Sequence, residues 1–224
     1  MKTTLKFIAA AALALTAQAA FSQTAGTWMA RLGGTTITPQ VASGDMTAPS
    51  FPNTKTDVDA ASQFTGGVSY MYTDNFSVDV PITFQPFKHK LYGAGALAGS
   101  GQIGEVQALP ITVFFQYRFM EPTAPVRPYV GIGPTYAYFL NESGSGALTA
   151  MTNPGGGTPT TLKVDSQFTY SVQLGGTIAI NEKWFVDVFY VKTPLKTKTT
   201  FSTGQTLDVT LDPVSYGISV GMKF

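Results

Sequence analysis

The residue types from which active sites are usually assembled are scarce in this chain: among 224 residues there is one histidine, His89, and cysteine is absent. Hydrolysis or acyl transfer needs a nucleophile, a base and a group that orients the base. Ser143 and Ser145 stand among glycines and read as loop residues. His89, between Lys88 and Lys90, reads as a solvated side chain or a contact to anionic phosphate. An enzyme is not expected. There is also no glycine-rich phosphate loop and no Cys/His spacing for a metal. Asp57, Asp59 and Glu142 could approach a divalent ion together, but such ions take about six to eight oxygens. They read as solvated charges, and neither metal nor cofactor is expected. Arg31, Asp79, Arg118 and Asp187 differ in that each interrupts an apolar alternating segment. The chemistry open to them is ion pairing, because an unpaired buried charge is expensive.

The elements that position those charges begin after a leader. Lys2 and Lys6 precede a short apolar run over residues 7–15, and Ala17-Gln18-Ala19 supplies small residues for cleavage. Residues 1–19 therefore read as a secretory signal peptide, the apolar run being about half of the roughly 20 residues a membrane helix needs. Its removal leaves residues 20–224 as one domain and moves the formal charge from +1 to −1. That balance does not steer the chain to nucleic acid. An exported domain without disulfides needs a core, a closed sheet or a membrane to hold it. No apolar run long enough for a spanning helix follows the leader, so a membrane protein here must be a barrel.

Apolar and polar residues alternate with period two over segments 27–38, 63–72, 76–87, 107–119, 127–140, 167–180, 184–198 and 207–224. Such alternation marks strands with two unlike faces. The connections 73–75, 120–126 and 181–183 are short, whereas 39–62, 88–106 and 141–166 are long. The expected fold is all-β: an eight-stranded antiparallel up-and-down transmembrane β-barrel with both termini and the short turns on one side. The third long connection holds the stretch 153–159, NPGGGTP, which reads as loop, and no helix is expected. Alternation alone does not say which face meets lipid. Tyr72, Phe76, Tyr117, Phe119, Trp184 and Phe224 gather beside the short turns as an interfacial girdle would. The chain closes on Tyr216, Ile218, Val220, Met222 and Phe224, a pattern resembling the signal read by the barrel assembly machinery. The greasy face is therefore expected outward, in the outer membrane of a Gram-negative bacterium, with lipid and lipopolysaccharide as neighbours.

Several motifs resemble the OmpW family of small outer-membrane barrels, which includes AlkL-type proteins linked to uptake of hydrophobic compounds. They are Trp28-Met29-Ala30-Arg31, Leu109-Pro110 leading to Gln116-Tyr117-Arg118-Phe119, Arg127-Pro128-Tyr129-Val130-Gly131-Ile132-Gly133, and Leu211-Asp212-Pro213-Val214-Ser215-Tyr216-Gly217. The resemblance spans the mature chain. It implies a narrow hydrophobic lumen from which small apolar molecules leave sideways into the membrane, and occasional use as a bacteriocin receptor.

Independently of that resemblance, the inward parity divides into two zones. Near the short turns it carries Arg31, Asp79, Arg118 and Asp187, with Arg127 and Lys223 at the same rim; paired, they form a polar plug. At the other end it carries Ile37, Phe87, Phe114, Phe139, Phe189, Val191, Leu195, Val209 and Leu211. There the outward parity turns polar through Lys192, Lys196, Lys198, Asp208, Thr210 and Asp212. A wall of that kind makes either a cup for small hydrophobic ligands or an ordinary filled core. Pro81, Pro110 and Pro134 each remove a backbone donor from a strand. They mark either a lateral opening or a set of bulges. Two functions stay open: uptake of small apolar molecules, or a structural or receptor barrel with a filled lumen for adhesion, phage or bacteriocins.

Overall fold

A computed structural model describes residues 22–153 and 155–224; the expected signal segment, residues 1–19, lies outside them, as does Pro154 of the glycine-rich stretch. In chain order the strands are β1 (Trp28–Thr38), β2 (Ala42–Ser43), β3 (Thr54–Val58), β4 (Ala61–Met71), β5 (Phe76–Thr83), β6 (Phe87–Gly95), β7 (Gln102–Thr112) and β8 (Phe114–Arg118). They continue with β9 (Val126–Gly144), β10 (Leu162–Val164), β11 (Gln167–Ala179), β12 (Trp184–Lys192), β13 (Lys196–Phe201), β14 (Thr206–Thr210) and β15 (Val214–Lys223), and one helix, α1 (Gly146–Thr152), precedes β10.

Eight antiparallel strands close on themselves in the order β11-β12-β15-β1-β4-β5-β8-β9, with β9 returning to β11. The terminal strands seal the ring, Arg31 standing opposite Gly221. The short turns are locally encoded. Asn181 Oδ1 accepts from the backbone N–H of Lys183 and Trp184 at 3.0 and 2.9 Å, and Thr73 Oγ1 accepts from Phe76 N at 2.9 Å. Side chains that mimic a backbone turn hold the chain reversed without a long loop. Outside the ring Phe64, Phe84, Ile111, Phe115, Ile132, Leu174 and Ile218 are all exposed. A continuous apolar exterior of this kind is stable only in lipid.

Beyond the membrane-facing band the wall continues, and here the sequence expectation needs correction. Residues 88–106 form a hairpin instead of a loop, β6 pairing with β7 from Phe87↔Ala108 to Tyr92↔Gln102, and β3 adds to β6. The separate sheet β10-β13-β14-β2 forms a collar on the other side. Alternation persists in these segments: Lys88 and Lys90 point out while His89 and Leu91 are buried, so the same period continues past the bilayer. Helix α1 is a second correction. Ser145 caps it by accepting from Leu148 N, and Leu148 is fully buried in the collar's apolar cluster with Ile103, Val106, Leu162 and Phe201. Seven residues carry too little periodicity to reveal a helix that tertiary burial stabilises.

Candidate functional site

At the turn-side end the interior is filled by a polar floor. Arg31 reaches Asp79 with both terminal nitrogens, at 2.5 and 2.9 Å, and Ser69 Oγ donates to the same carboxylate at 2.5 Å. Arg31 Nε stands 3.6 Å from Asp187, which also accepts from the Tyr129 hydroxyl at 3.1 Å. The space for these groups is supplied by glycine. A Cβ on Gly67 would lie 2.8 Å from the Arg31 guanidinium carbon, and one on Gly175 would lie 2.4 Å from the Tyr129 hydroxyl.

Arg118 has no ion-pair partner among the described residues. It lies over the Tyr129 ring, 4.8 Å from the centroid, and donates to Ser77 and Gln116 at 3.1 and 2.9 Å. Arg127 donates to the carbonyls of Gln23 at 2.9 Å and Asp74 at 2.6 Å, tying the N-terminal segment to a turn. Lys223 Nζ is buried with no hydrogen-bond partner among the described residues. Arg31, Asp79 and Asp187 thus form one ionic cluster, while hydrogen-bond acceptors and an aromatic face satisfy Arg118 and Arg127. A guanidinium has five donors and a flat face, so carbonyls, amides and rings can meet its needs. Sequence reasoning assigned no role to Gln23, Gln116 or Gln173. Gln23 donates to Thr177 at 2.9 Å and Gln116 to Gln173 at 2.8 Å. Their signal was present, since the glutamines of β8 and β11 occupy inward parity.

Above the floor a chain of hydroxyls crosses adjoining strands, with Thr112 to Thr135 at 2.9 Å, Thr135 to Ser171 at 2.7 Å and Ser171 to Thr193 at 2.7 Å. Then the interior opens into a cavity of about 170 Å³ that is open to solvent at its mouth. Ile37, Phe87, Phe114, Phe139, Phe189, Val191, Leu195, Val209 and Leu211 all line it, with Arg31 at its inner end. Asp79, Arg118 and Asp187 lie outside the lining, in the floor beneath. Outside the same stretch of wall, Lys196, Lys198 and Asp208 are exposed. Lys198 stands 3.7 Å from Asp208, and Lys88 pairs with Glu105 at 2.7 Å.

The wall has a break. β5 pairs with β8 only from Phe76↔Tyr117 to Asp79↔Phe114, and β6 meets β7 again at Phe87↔Ala108. Between these points residues 80–86 and 109–113 share no ladder. Pro81 and Pro110 stand on its two sides and line the cavity. Pro134 does not belong to the break. It pairs with Tyr170 on β11, its carbonyl accepts from Val113 N at 3.3 Å, and its ring faces outward. A proline carbonyl can still hold a ladder even though its nitrogen cannot donate.

His89 overturns its expected exposure: it is 4% exposed and lines the cavity, with Nδ1 2.7 Å from the Asp59 carbonyl oxygen. Burial holds the imidazole below its ordinary value of 6.5, and the Asp59 carbonyl and charge oppose that shift. Ser145 is used as a helix cap, accepting from Leu148 N and donating to the Gln102 carbonyl at 2.8 Å. Asp57, Asp59 and Glu142 are not gathered, and among the described residues no group of three or more His, Asp or Glu could hold a metal ion.

Comparison with known proteins gives the same architecture. The model of the OmpW family matches residues 24–224. Outer membrane protein W of Vibrio cholerae serotype O1 is 32% identical over 230 residues, covering 100% of both chains. The crystal structure of the outer membrane protein OprG from Pseudomonas aeruginosa superposes with a TM-score of 0.80 at 26% identity, covering 91% of this chain and 98% of that one. The solid-state NMR structure of outer membrane protein AlkL in DMPC bilayers shares the fold, with a TM-score of 0.67 at 18% identity over 90% of this chain and 91% of that one.

Proposed function

This chain belongs to the OmpW family of outer-membrane barrels, and on that premise we propose that it takes up small apolar molecules through its external cup and releases them sideways into the membrane. The observation that carries the proposal is the cavity: its outer wall is apolar, its mouth is open, and its inner end stops at a polar floor. An apolar solute gains about 25 cal/mol for each Å² it removes from water, so the cup concentrates it. The floor offers no comparable gain, because entering it would separate Arg31 from Asp79 and leave buried charges unpaired. Leaving between β5 and β7, past Pro81 and Pro110, requires no ladder bond to be broken, since none is formed there. The lipid beyond is an apolar sink.

Phe224 fits a role in insertion. Its backbone exchanges hydrogen bonds with Trp28 at 2.9 Å in both directions while its ring points outward at the rim, leaving the terminal side chain available to the assembly machinery. Lipopolysaccharide is the expected neighbour of the collar, although carboxylates already offset Lys88 and Lys198.

Liposomes containing the folded barrel test the proposal with a labelled small apolar compound. The parent should take it up faster than empty liposomes, and a folded Phe114→Glu/Phe189→Glu variant should lose about tenfold or more of that gain, since two carboxylates in an apolar cup must stay hydrated. No uptake by the parent would favour a structural or receptor barrel instead.

A further inference from the structure

His89 is the one strongly polar ring in the apolar part of the cup, and its two nitrogens are in different situations. Nδ1 faces the Asp59 carbonyl at 2.7 Å. A carbonyl oxygen can only accept, so Nδ1 carries the hydrogen and the neutral ring's Nε2 is left as a bare acceptor. Nε2 has no hydrogen-bond partner among the described residues, and it is not one of the buried atoms closed off from solvent. Because the ring lines the cavity, that lone pair is presented to whatever occupies the cup. Two of the lining hydroxyls are committed: Thr56 donates to the Tyr92 carbonyl at 3.1 Å and Thr197 to the Asp165 carbonyl at 2.6 Å.

We propose that His89 Nε2 selects the occupant, accepting a hydrogen bond from small, mainly apolar molecules that carry one neutral O–H or N–H donor. The assignment rests on the proposed uptake role of the same cup and names its substrate class more narrowly. A pure hydrocarbon fills the cavity but leaves Nε2 unpaired. A carboxylate has no donor for it, and a cation would have to shed its water in an apolar chamber. A phenol or aliphatic alcohol satisfies the ring and the wall together. One neutral hydrogen bond in such a site changes affinity by about tenfold.

His89 being the only histidine, ¹⁵N-histidine labelling of the folded full barrel in nanodiscs yields a single imidazole whose nitrogen shifts report tautomer and hydrogen bonding. The probes are p-cresol and toluene, which differ by one hydroxyl. In the parent, p-cresol should move the Nε2 resonance and bind about tenfold more tightly than toluene. In His89→Leu the preference should vanish while toluene still binds, and His89→Gln, whose amide oxygen also accepts, should restore part of it. Equal affinities in the parent with an unmoved Nε2 resonance would overturn the assignment and leave the hydrophobic cup standing. Failure of both probes to bind the parent would remove the cup and this selectivity with it.

Discussion

Asp79 is fully buried and accepts from both Arg31 and Ser69, so it is the residue on which the floor is most dependent. Removing one partner of a buried ion pair leaves the other uncompensated, at a cost of about 3–5 kcal/mol. Asp79→Ala is therefore expected to lower stability by about that amount, read as a shift in the urea-unfolding midpoint in lipid vesicles. Trp28 and Trp184, half exposed near the turn-side rim, provide the fluorescence signal. An Arg31→Met/Asp79→Leu/Asp187→Asn variant, which removes every charge of the cluster and keeps an acceptor for Tyr129, should recover most of the loss, since replacing a whole buried ionic group is often close to neutral. A midpoint unmoved by Asp79→Ala would mean that the cluster contributes nothing net. The same scale explains why the His89 expectation failed. Flanking lysines marked the segment as solvated, but in a strand neighbours point to opposite faces, so Lys88 and Lys90 describe the outside and say nothing of what lies between them.

The β5–β8 ladder stops after Asp79↔Phe114, pairing resumes between β6 and β7 at Phe87↔Ala108, and Pro81 on β5 and Pro110 on β7 stand in the interval. Proline cannot donate, so neither strand can rebuild the ladder at its proline. If solutes leave here, tying the two edges together should stop them. The chain contains no cysteine, so Thr83→Cys and Pro110→Cys can be joined selectively by a short reducible cross-linker. Uptake should fall to the level of empty liposomes on cross-linking and recover on reduction. Undiminished uptake across the tied barrel would exclude this exit. Pro134 shows the limit of counting prolines: where the carbonyl side of the residue faces the neighbour, the ladder survives.

At the scale of the molecule, a membrane barrel and an external collar meet at prolines. Pro194 separates β12 from β13 and Pro213 separates β14 from β15. There Leu195 N donates to Asp212 Oδ1 at 2.8 Å, and Lys192 Nζ donates to the Asp212 carbonyl at 2.6 Å. The two parts should respond differently to acid. His89 is held below its ordinary value of 6.5 by burial, so unfolded chain binds its proton first as pH falls. The stability contributed by the neutral ring is present above about 6.5 and is lost as pH drops toward and through the depressed folded value. Asp59 N donates to the Lys90 carbonyl at 3.0 Å beside this ring. Relative to the intrinsic amide rate, which itself slows toward acid, hydrogen exchange at β3 and β6 should therefore accelerate between pH 7 and 5, and His89→Gln should abolish that change. An equal acceleration in His89→Gln would assign it to other groups.

The eight membrane strands, their outward greasy face and the place of the short turns were legible in the sequence, because period-two alternation and turn residues are local properties that survive without tertiary context. The lining of the cup was legible for the same reason: once strand parity is known, Phe114, Phe139 and Phe189 must share a side with Ile37. What only the tertiary structure decided depends on meetings between distant segments. Gln23 reaches Arg118 and Thr177 from the chain start, Asp59 orients His89 across a strand pair, and the ladder breaks beside Pro110 but holds at Pro134. Alternation assigns each side chain a face; it carries no information about which partner waits on that face, and hydrogen-bond partners determine whether a buried charge is paired, a ring nitrogen is free, or a strand edge is open.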